Sequence, residues 1–333
     1  MSYCPGDNPT VAIVGGGAAG MSCALWLKHL GFSHCIIERN AELGGQMLNI
    51  HRINRWVLGW YGRTSADLAN AYGKHVKDES IPVIYNAKLA SVESTPTGFS
   101  LMVDEAGQSQ GLTMQVNALV IATGLQAQGI EIFRPSSGLE YLHSNGLIGC
   151  HPLDHLDKLD RLQGKTVAVI GGGDNAHFTV KDVARVASRV YLLIRSQAKA
   201  QQTIRNEVET LIEQGLVVEF VETEVVGFRP SEGGIEMDLK QSGFPDESIL
   251  VDRVFVRAGF VPNSHFLDTL GSLATMSKLK QGYLLTDSRK RTSIDSVYAI
   301  GDVASPHLQS VVTAIADGAI AARAIANDIS INI

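Results

Sequence analysis

Two short glycine clusters carry the first hint of chemistry. Gly15, Gly17 and Gly20 follow the apolar run Val11-Ala-Ile-Val14, and Gly171, Gly173 and Ala176 follow Thr166-Val-Ala-Val-Ile170. In each trio the first glycine allows a tight turn, the second lets backbone approach a pyrophosphate, and the third position, which accepts alanine, lets a helix lie close on its strand. The N-terminus of that helix then offers free N–H groups and a positive dipole end to an anion. Glu38, 23 positions after Gly15, is placed to accept hydrogen bonds from an adenosine ribose. At the corresponding place after the second cluster stands Arg195. Arg195 either pairs with a 2′-phosphate, which favours NADP over NAD, or is a solvated strand end.

The elements that must position these residues are legible beside them. Val11 to Val14 reads as a strand, Met21 to Leu30 as a helix closed by Gly31, and Ser33 to Glu38 as a second strand. The order returns in the middle of the chain, where Asn175 and Ala176 open a helix that runs to about residue 187, before a strand Arg189 to Arg195. His177 reads as an exposed first-turn residue, the alternative being contact with a pyrophosphate or nicotinamide. Two nucleotide sites are therefore expected.

The 333 residues exceed one compact core, and 45% hydrophobic with 19% charged residues is ordinary for a globular protein. A net charge of -6 gives no basic surface for nucleic acid. No apolar stretch approaches a membrane span and the first residues lack a basic, secretion-type start, so a cytoplasmic protein with no membrane partner is expected. Cys4, Cys23, Cys35 and Cys150 form no C-x-x-C and no metal spacing.

With both fingerprints in place, the chain resembles the two-dinucleotide-domain flavoproteins, and specifically their short thioredoxin-reductase-like branch. Further motifs agree in order along the whole chain: Gly44-Gly45-Gln46, Ala122-Thr123-Gly124, Arg257-Ala-Gly-Phe-Val-Pro-Asn263, Tyr298-Ala-Ile-Gly301-Asp302, and Gln309-Ser-Val-Val-Thr313. The resemblance implies an α/β fold of two Rossmann-like, three-layer ββα domains, the second inserted in the first. Residues 1–124 and 250–333 are then the FAD-binding domain, and 125–249 the NAD(P)-binding-type domain. FAD falls to Gly15, Gly17, Gly20, Glu38, Gly45, Gln46, Ala122, Thr123, Gly124, Gly301, Asp302, Gln309 and Thr313. A second nucleotide, NADP, NAD or another FAD, falls to Gly171, Gly173, Asn175, Ala176 and Arg195. A homodimer is implied by the same analogy. One of Trp56, Trp60 and Tyr61 either stacks on the flavin or serves as packing.

The chain also departs from that branch. Thioredoxin reductases carry Cys-x-x-Cys-Asp where this sequence has Cys150-His-Pro-Leu153-Asp154. Leucine cannot resolve a mixed disulfide, so the dithiol relay is excluded. Cys150 and Asp154 remain the only candidates for catalysis there. The family's arginine-rich NADPH clamp is reduced to Arg195, with Lys199 and Arg205 nearby. Three readings follow. The first is an FAD-dependent oxidoreductase passing electrons between NAD(P)H and a small acceptor or redox protein such as ferredoxin, flavodoxin or a thioredoxin-like partner. The second is a thiol/disulfide oxidoreductase fed by ferredoxin. The third is a redox-inactive flavin sensor.

Overall fold

The computed structural model describes residues 9–108, 110–241 and 243–330, which form two compact units. One holds the chain up to Gln126 and from Pro262 onward, and the other holds Ala127–Val261.

The first unit is built on a five-stranded parallel sheet in the order Val297–Ala299, Ala118–Ile121, Val11–Val14, His34–Ile37, Val83–Ile84. Its central strands are apolar at nearly every position because both faces are covered. Ile13 and Val120 face helices Ala18–His29, Ser65–Asp78 and Val311–Ser330. Ala12, Val14 and Ile37 face an antiparallel sheet of Ala87–Thr95, Gly98–Glu105 and Leu112–Val116. That sheet has one wet face, so its strands alternate buried and exposed residues. The first and last helices meet at small residues. A Cβ at Gly318 would run into the Ala19 carbonyl and, 2.7 Å away, Cys23 N, while Ser22 Oγ donates to Ile315 O at 2.8 Å.

The second unit repeats the plan. Its parallel sheet runs Val217–Val221, Arg189–Ile194, Thr166–Ile170, Arg253–Val256, Ile148–Gly149. Val167, Val169 and Phe255 pack on helices Asp174–Val183 and Gln202–Glu213. Ala168, Val254 and Val256 pack on the antiparallel strands Thr223–Ser231, Gly234–Gln241 and Glu247–Val251. Three layers of ββα type thus occur twice, as the sequence implied. The chain leaves and returns along a two-stranded ribbon of Leu125–Ala127 and Phe260–Pro262.

The second crossing lies later than residue 250. Residues 250–261, expected in the first unit, belong to the second, because Arg253–Val256 is the strand that pairs with Val167 to Ile170. An apolar strand beside an unrecognised partner looks the same in either unit.

Candidate functional site

In the first unit the fingerprint turn and the strand-end acid hold each other. Gly15 has φ +110°, and a Cβ there would strike the Ala122 carbonyl. Glu38, only 4% exposed, accepts Gly16 N–H at 2.7 Å through Oε2 and Asn40 N–H at 2.8 Å through Oε1. Gly20 has no room for a side chain against the Gly15 carbonyl. Gly17 caps helix Ala18–His29 with no side chain over it, and a Cβ there would meet nothing within 4 Å. The start of this helix thus has no side-chain cap and has room beside Gly17.

Other motif residues converge on this turn. Gly44 N–H donates to Gly16 O at 2.9 Å, and a Cβ at Gly45 would lie 3.2 Å from Gly17 Cα. Gln46 Nε2 donates to Leu125 O at 3.0 Å. Ala122 N–H donates to Val14 O, Thr123 Oγ1 to Asn263 O at 2.7 Å, and Asn263 N–H to Gly124 O at 2.9 Å, so the Ala-Thr-Gly and Pro-Asn turns are tied together.

Asp302 supplies the test of whether a bound group belongs here. Its Oδ1 is buried and has no hydrogen-bond partner among the described residues. Burial first, and the nearby Asp317 second, push its carboxyl up to about 6. Asp317 is itself satisfied by Gly301 N–H at 3.1 Å and Lys290 Nζ at 2.6 Å. A buried acceptor with nothing to accept from is costly, and a ligand hydroxyl is the kind of donor that corrects it. The open turn, the uncapped helix end and this acceptor fit a dinucleotide with a polyol segment. Gln309 and Thr313 are occupied locally. Gln309 Nε2 donates to Ser305 O at 2.8 Å, Thr313 N–H donates to Ser310 Oγ at 3.2 Å and Thr313 Oγ1 to Ser310 O at 3.0 Å.

The second fingerprint repeats the turn but not the acid. Gly171 has φ +144° with the Arg257 carbonyl where a Cβ would stand, Gly173 is an open cap, and Ala176 is fully buried. Asp174 accepts from Gln201 N and Nε2 at 2.8 and 2.7 Å, and Gly172 O accepts from Lys199 N and Ala200 N, folding residues 199–201 over the turn. Asn175 is exposed at the helix start. Arg195 is exposed and makes no ion pair among the described residues. His177 is 1% exposed, with Nδ1 3.0 Å from Gly173 O, which corrects the expectation of an exposed residue. The helix turns position 177 inward, where periodicity alone left it ambiguous.

Around Cys150 lies a network that the sequence did not announce. Arg257 is buried, and its Nη2 donates to Asp154 Oδ1 at 2.7 Å, its Nε to Thr179 Oγ1 at 3.0 Å and its Nη1 to Val256 O at 2.9 Å. His155 Nδ1 lies 3.3 Å from Arg257 Nη2 and so accepts, which leaves Nε2–H to donate to Asp182 Oδ2 at 3.2 Å. Asp154 Oδ2 takes His151 N–H at 3.1 Å, and His151 Nδ1 takes Leu153 N–H at 3.3 Å. Burial foremost, and then the Asp154 carboxylate, push the Cys150 thiol up to about 11. The signal for this network was an arginine directly after the apolar strand Arg253–Val256, but its partner Asp154 is 103 residues away.

Cys23 and Cys35 are buried with thiols pushed up to about 12, as inert small apolar groups. Cys4 lies outside the described residues. Among Trp56, Trp60 and Tyr61, Trp60 turns inward, donating Nε1–H to Thr64 O at 3.0 Å, while the other two are exposed.

Comparison with known proteins agrees with this geometry. The chain is 27% identical over 318 residues to thioredoxin reductase of Bacillus subtilis, covering 95% of this chain and 93% of that protein. It is 25% identical over 315 residues to a component of the alkyl hydroperoxide reductase of Pseudomonas putida, covering 94% of this chain but spanning only 57% of that relative's length. The structure of T. acidophilum thioredoxin reductase shares the fold, with a TM-score of 0.78 at 23% identity over 97% of this chain and 99% of that one. Residues 9–318 match the description of the pyridine nucleotide-disulphide oxidoreductases. Paired ββα units, a glycine turn on each, and these matches together place the chain in the pyridine nucleotide-disulphide oxidoreductase family, within its thioredoxin-reductase-like part.

Proposed function

We propose that the protein is an FAD-dependent oxidoreductase that passes electrons between NAD(P)H and a small acceptor or redox protein without a dithiol. The observation that carries this reading is the closed corner at Cys150. Leu153 offers no second thiol, the Cys150 thiol is pushed up to about 11, and Asp154 is bound to a buried arginine instead of standing free as an acid. A thiol with its proton held that firmly is a poor nucleophile at neutral pH, so the thiol/disulfide reading loses its chemistry here.

FAD fits the first unit. Gly17 and the uncapped helix end take the pyrophosphate, Glu38 the adenosine ribose, Asp302 Oδ1 a ribityl hydroxyl, and Gly45 and Gln46 the segment beside the ring. Bound there, FAD supplies hydride acceptance and the release of electrons singly or in pairs. The chain's own part is to bind and orient it. Glu38 presents the ribose with acceptors already fixed by backbone N–H groups, and Asp302, satisfied by a ligand hydroxyl, no longer carries an unpaired buried oxygen. In the second unit Gly173 and Arg195 take a nicotinamide dinucleotide.

An anaerobic titration of the purified protein with NADPH and NADH, with flavin measured per chain, tests the reading. Loss of the visible oxidised-flavin band at one flavin per chain is the expected result. No bleaching, or two flavins per chain, overturns it.

A further inference from the structure

One loop of the first unit carries its apolar residues on the outside. Ile50, Ile53, Trp56, Leu58 and Tyr61 are all exposed, Leu58 and Tyr61 completely and Trp56 by 75%. The loop is nevertheless pinned. A bridge between Ile53 and Thr64 closes its neck, and Asn54 N–H donates to Arg63 O at 2.8 Å. Asn54 Oδ1 accepts Trp56 N–H and Val57 N–H at 2.9 and 3.2 Å, and its Nδ2 donates to Ser65 Oγ at 2.9 Å. Trp60 points inward under the Arg63 guanidinium, 4.8 Å from the ring centre. Gly59 and Gly62, with φ +82° and +75°, turn the tip. A fixed backbone therefore presents Trp56, Leu58 and Tyr61 as separate projecting knobs, and exposed apolar groups gathered in one place mark a contact surface.

The charge of the loop says what meets it. Residues 50–63 contain Arg52, Arg55 and Arg63 and no aspartate or glutamate, in a chain of net charge -6. The next acid along the chain, Asp67, is engaged by Thr64 N–H and Oγ1 at 2.9 and 2.8 Å. A second copy meeting this loop with its own would bring like charges together. Projecting knobs that pack on nothing suit a surface that closes around them, with tryptophan and tyrosine at headgroup depth, leucine deeper and arginine on phosphates.

We propose that the 50–63 loop docks the protein on an anionic phospholipid surface, Trp56, Leu58 and Tyr61 entering the interface and Arg55 and Arg63 meeting headgroup phosphates. The sequence gives no span and so no membrane partner was expected, but a surface anchor needs no span. The inference does not depend on which nucleotides the protein holds.

The test is sedimentation of the full-length protein with vesicles of phosphatidylcholine alone or mixed equally with phosphatidylglycerol. It is read alongside quenching of tryptophan fluorescence by brominated lipid. The wild type pellets with the anionic vesicles and is quenched. Arg55→Gln weakens pelleting about fivefold, and Trp56→Ser with Leu58→Ser weakens it at least about tenfold with thermal unfolding unchanged. Trp56→Phe keeps the docking and loses most of the quenching. Wild-type protein that stays in the supernatant overturns the proposal, as does a double variant that pellets like wild type. A dimer that the double variant converts to monomer, without vesicle binding by the wild type, assigns the loop to a second copy and overturns it equally.

Discussion

The two units carry the same strand, glycine turn and helix, yet they treat charge in opposite ways. In the first, the strand-end Glu38 is buried and bonded to the turn it follows, while Asp302 holds an acceptor with no partner among the described residues. In the second, the strand-end Arg195 stands in solvent, and the buried Arg257 is already paired with the half-buried Asp154. The same turn is therefore kept in both units, while the side chains around it differ in charge and in partners. The first unit is shaped around a missing polar partner. The second has spent its buried charge on itself.

The largest effect that would sharpen this contrast is expected at Arg257. Replacing it with methionine takes the counter-charge from the half-buried Asp154 and the donors from Thr179 Oγ1 and His155 Nδ1, at a cost of about 3 kcal/mol. In a melt followed by domain-specific probes, the second unit is destabilised and the first is not. Adding Asp154→Asn restores most of the loss. An unshifted transition would break the claim that the second unit's charges are structural.

Asp302→Ala comes next. Loss of a charge-assisted hydrogen bond worth about 1.5–3 kcal/mol weakens flavin retention by about 10- to 100-fold, measured as flavin released on dilution. The pH dependence of the flavin-free protein follows from the same carboxyl. It lies near 6 when folded, against about 3.9 in an unfolded chain. Between these values the folded state binds the extra proton, so stability falls as pH rises from about 4 to about 6 and is level above. Asn at position 302 removes that slope, which urea midpoints across the window would show.

A smaller effect separates the nucleotides of the second unit. Arg195→Gln raises the dissociation constant for NADPH about tenfold, leaves that for NADH unchanged, and shifts stability by less than about 0.5 kcal/mol. Equal changes for both would show Arg195 to be only a strand end. The smallest effect is at Cys150. Cys150→Ser leaves turnover unchanged, and alkylation of the wild-type thiol still accelerates above pH 9, as a group held near 11 requires.

Local signals were the legible ones. Gly15, Gly20 and Gly171 could be read because each belongs to a short fingerprint beside an apolar strand, although the backbone that fills the Cβ space at Gly15 and Gly171 comes from the distant Ala122 and Arg257. Strand type was legible from unbroken apolar runs such as Val11–Val14. What could not be read needed distant partners. The Arg253–Val256 strand was given to the wrong unit because only its pairing with Thr166–Ile170 distinguishes the two. Arg257 looked like part of a loop motif until Asp154, His155 and Thr179 were brought to it. The exposure of Trp56 and Tyr61 was hidden for a related reason, since an aromatic cluster reads the same whether it points in or out.

The packing of the last helix on the first has a consequence for how the chain is made. Strand Val297–Ala299 completes the first unit's sheet beside Ala118–Ile121, and Gly318 seats helix Val311–Ser330 against Ala19. The second unit is one continuous stretch, Ala127–Val261. On a ribosome that releases the chain from its beginning, the inserted unit has every partner it needs while the unit that encloses it in sequence still lacks a strand and a helix. Assembly of the first unit therefore waits on contacts nearly 300 residues apart, such as Ser22 with Ile315, and is the slower, more exposed step.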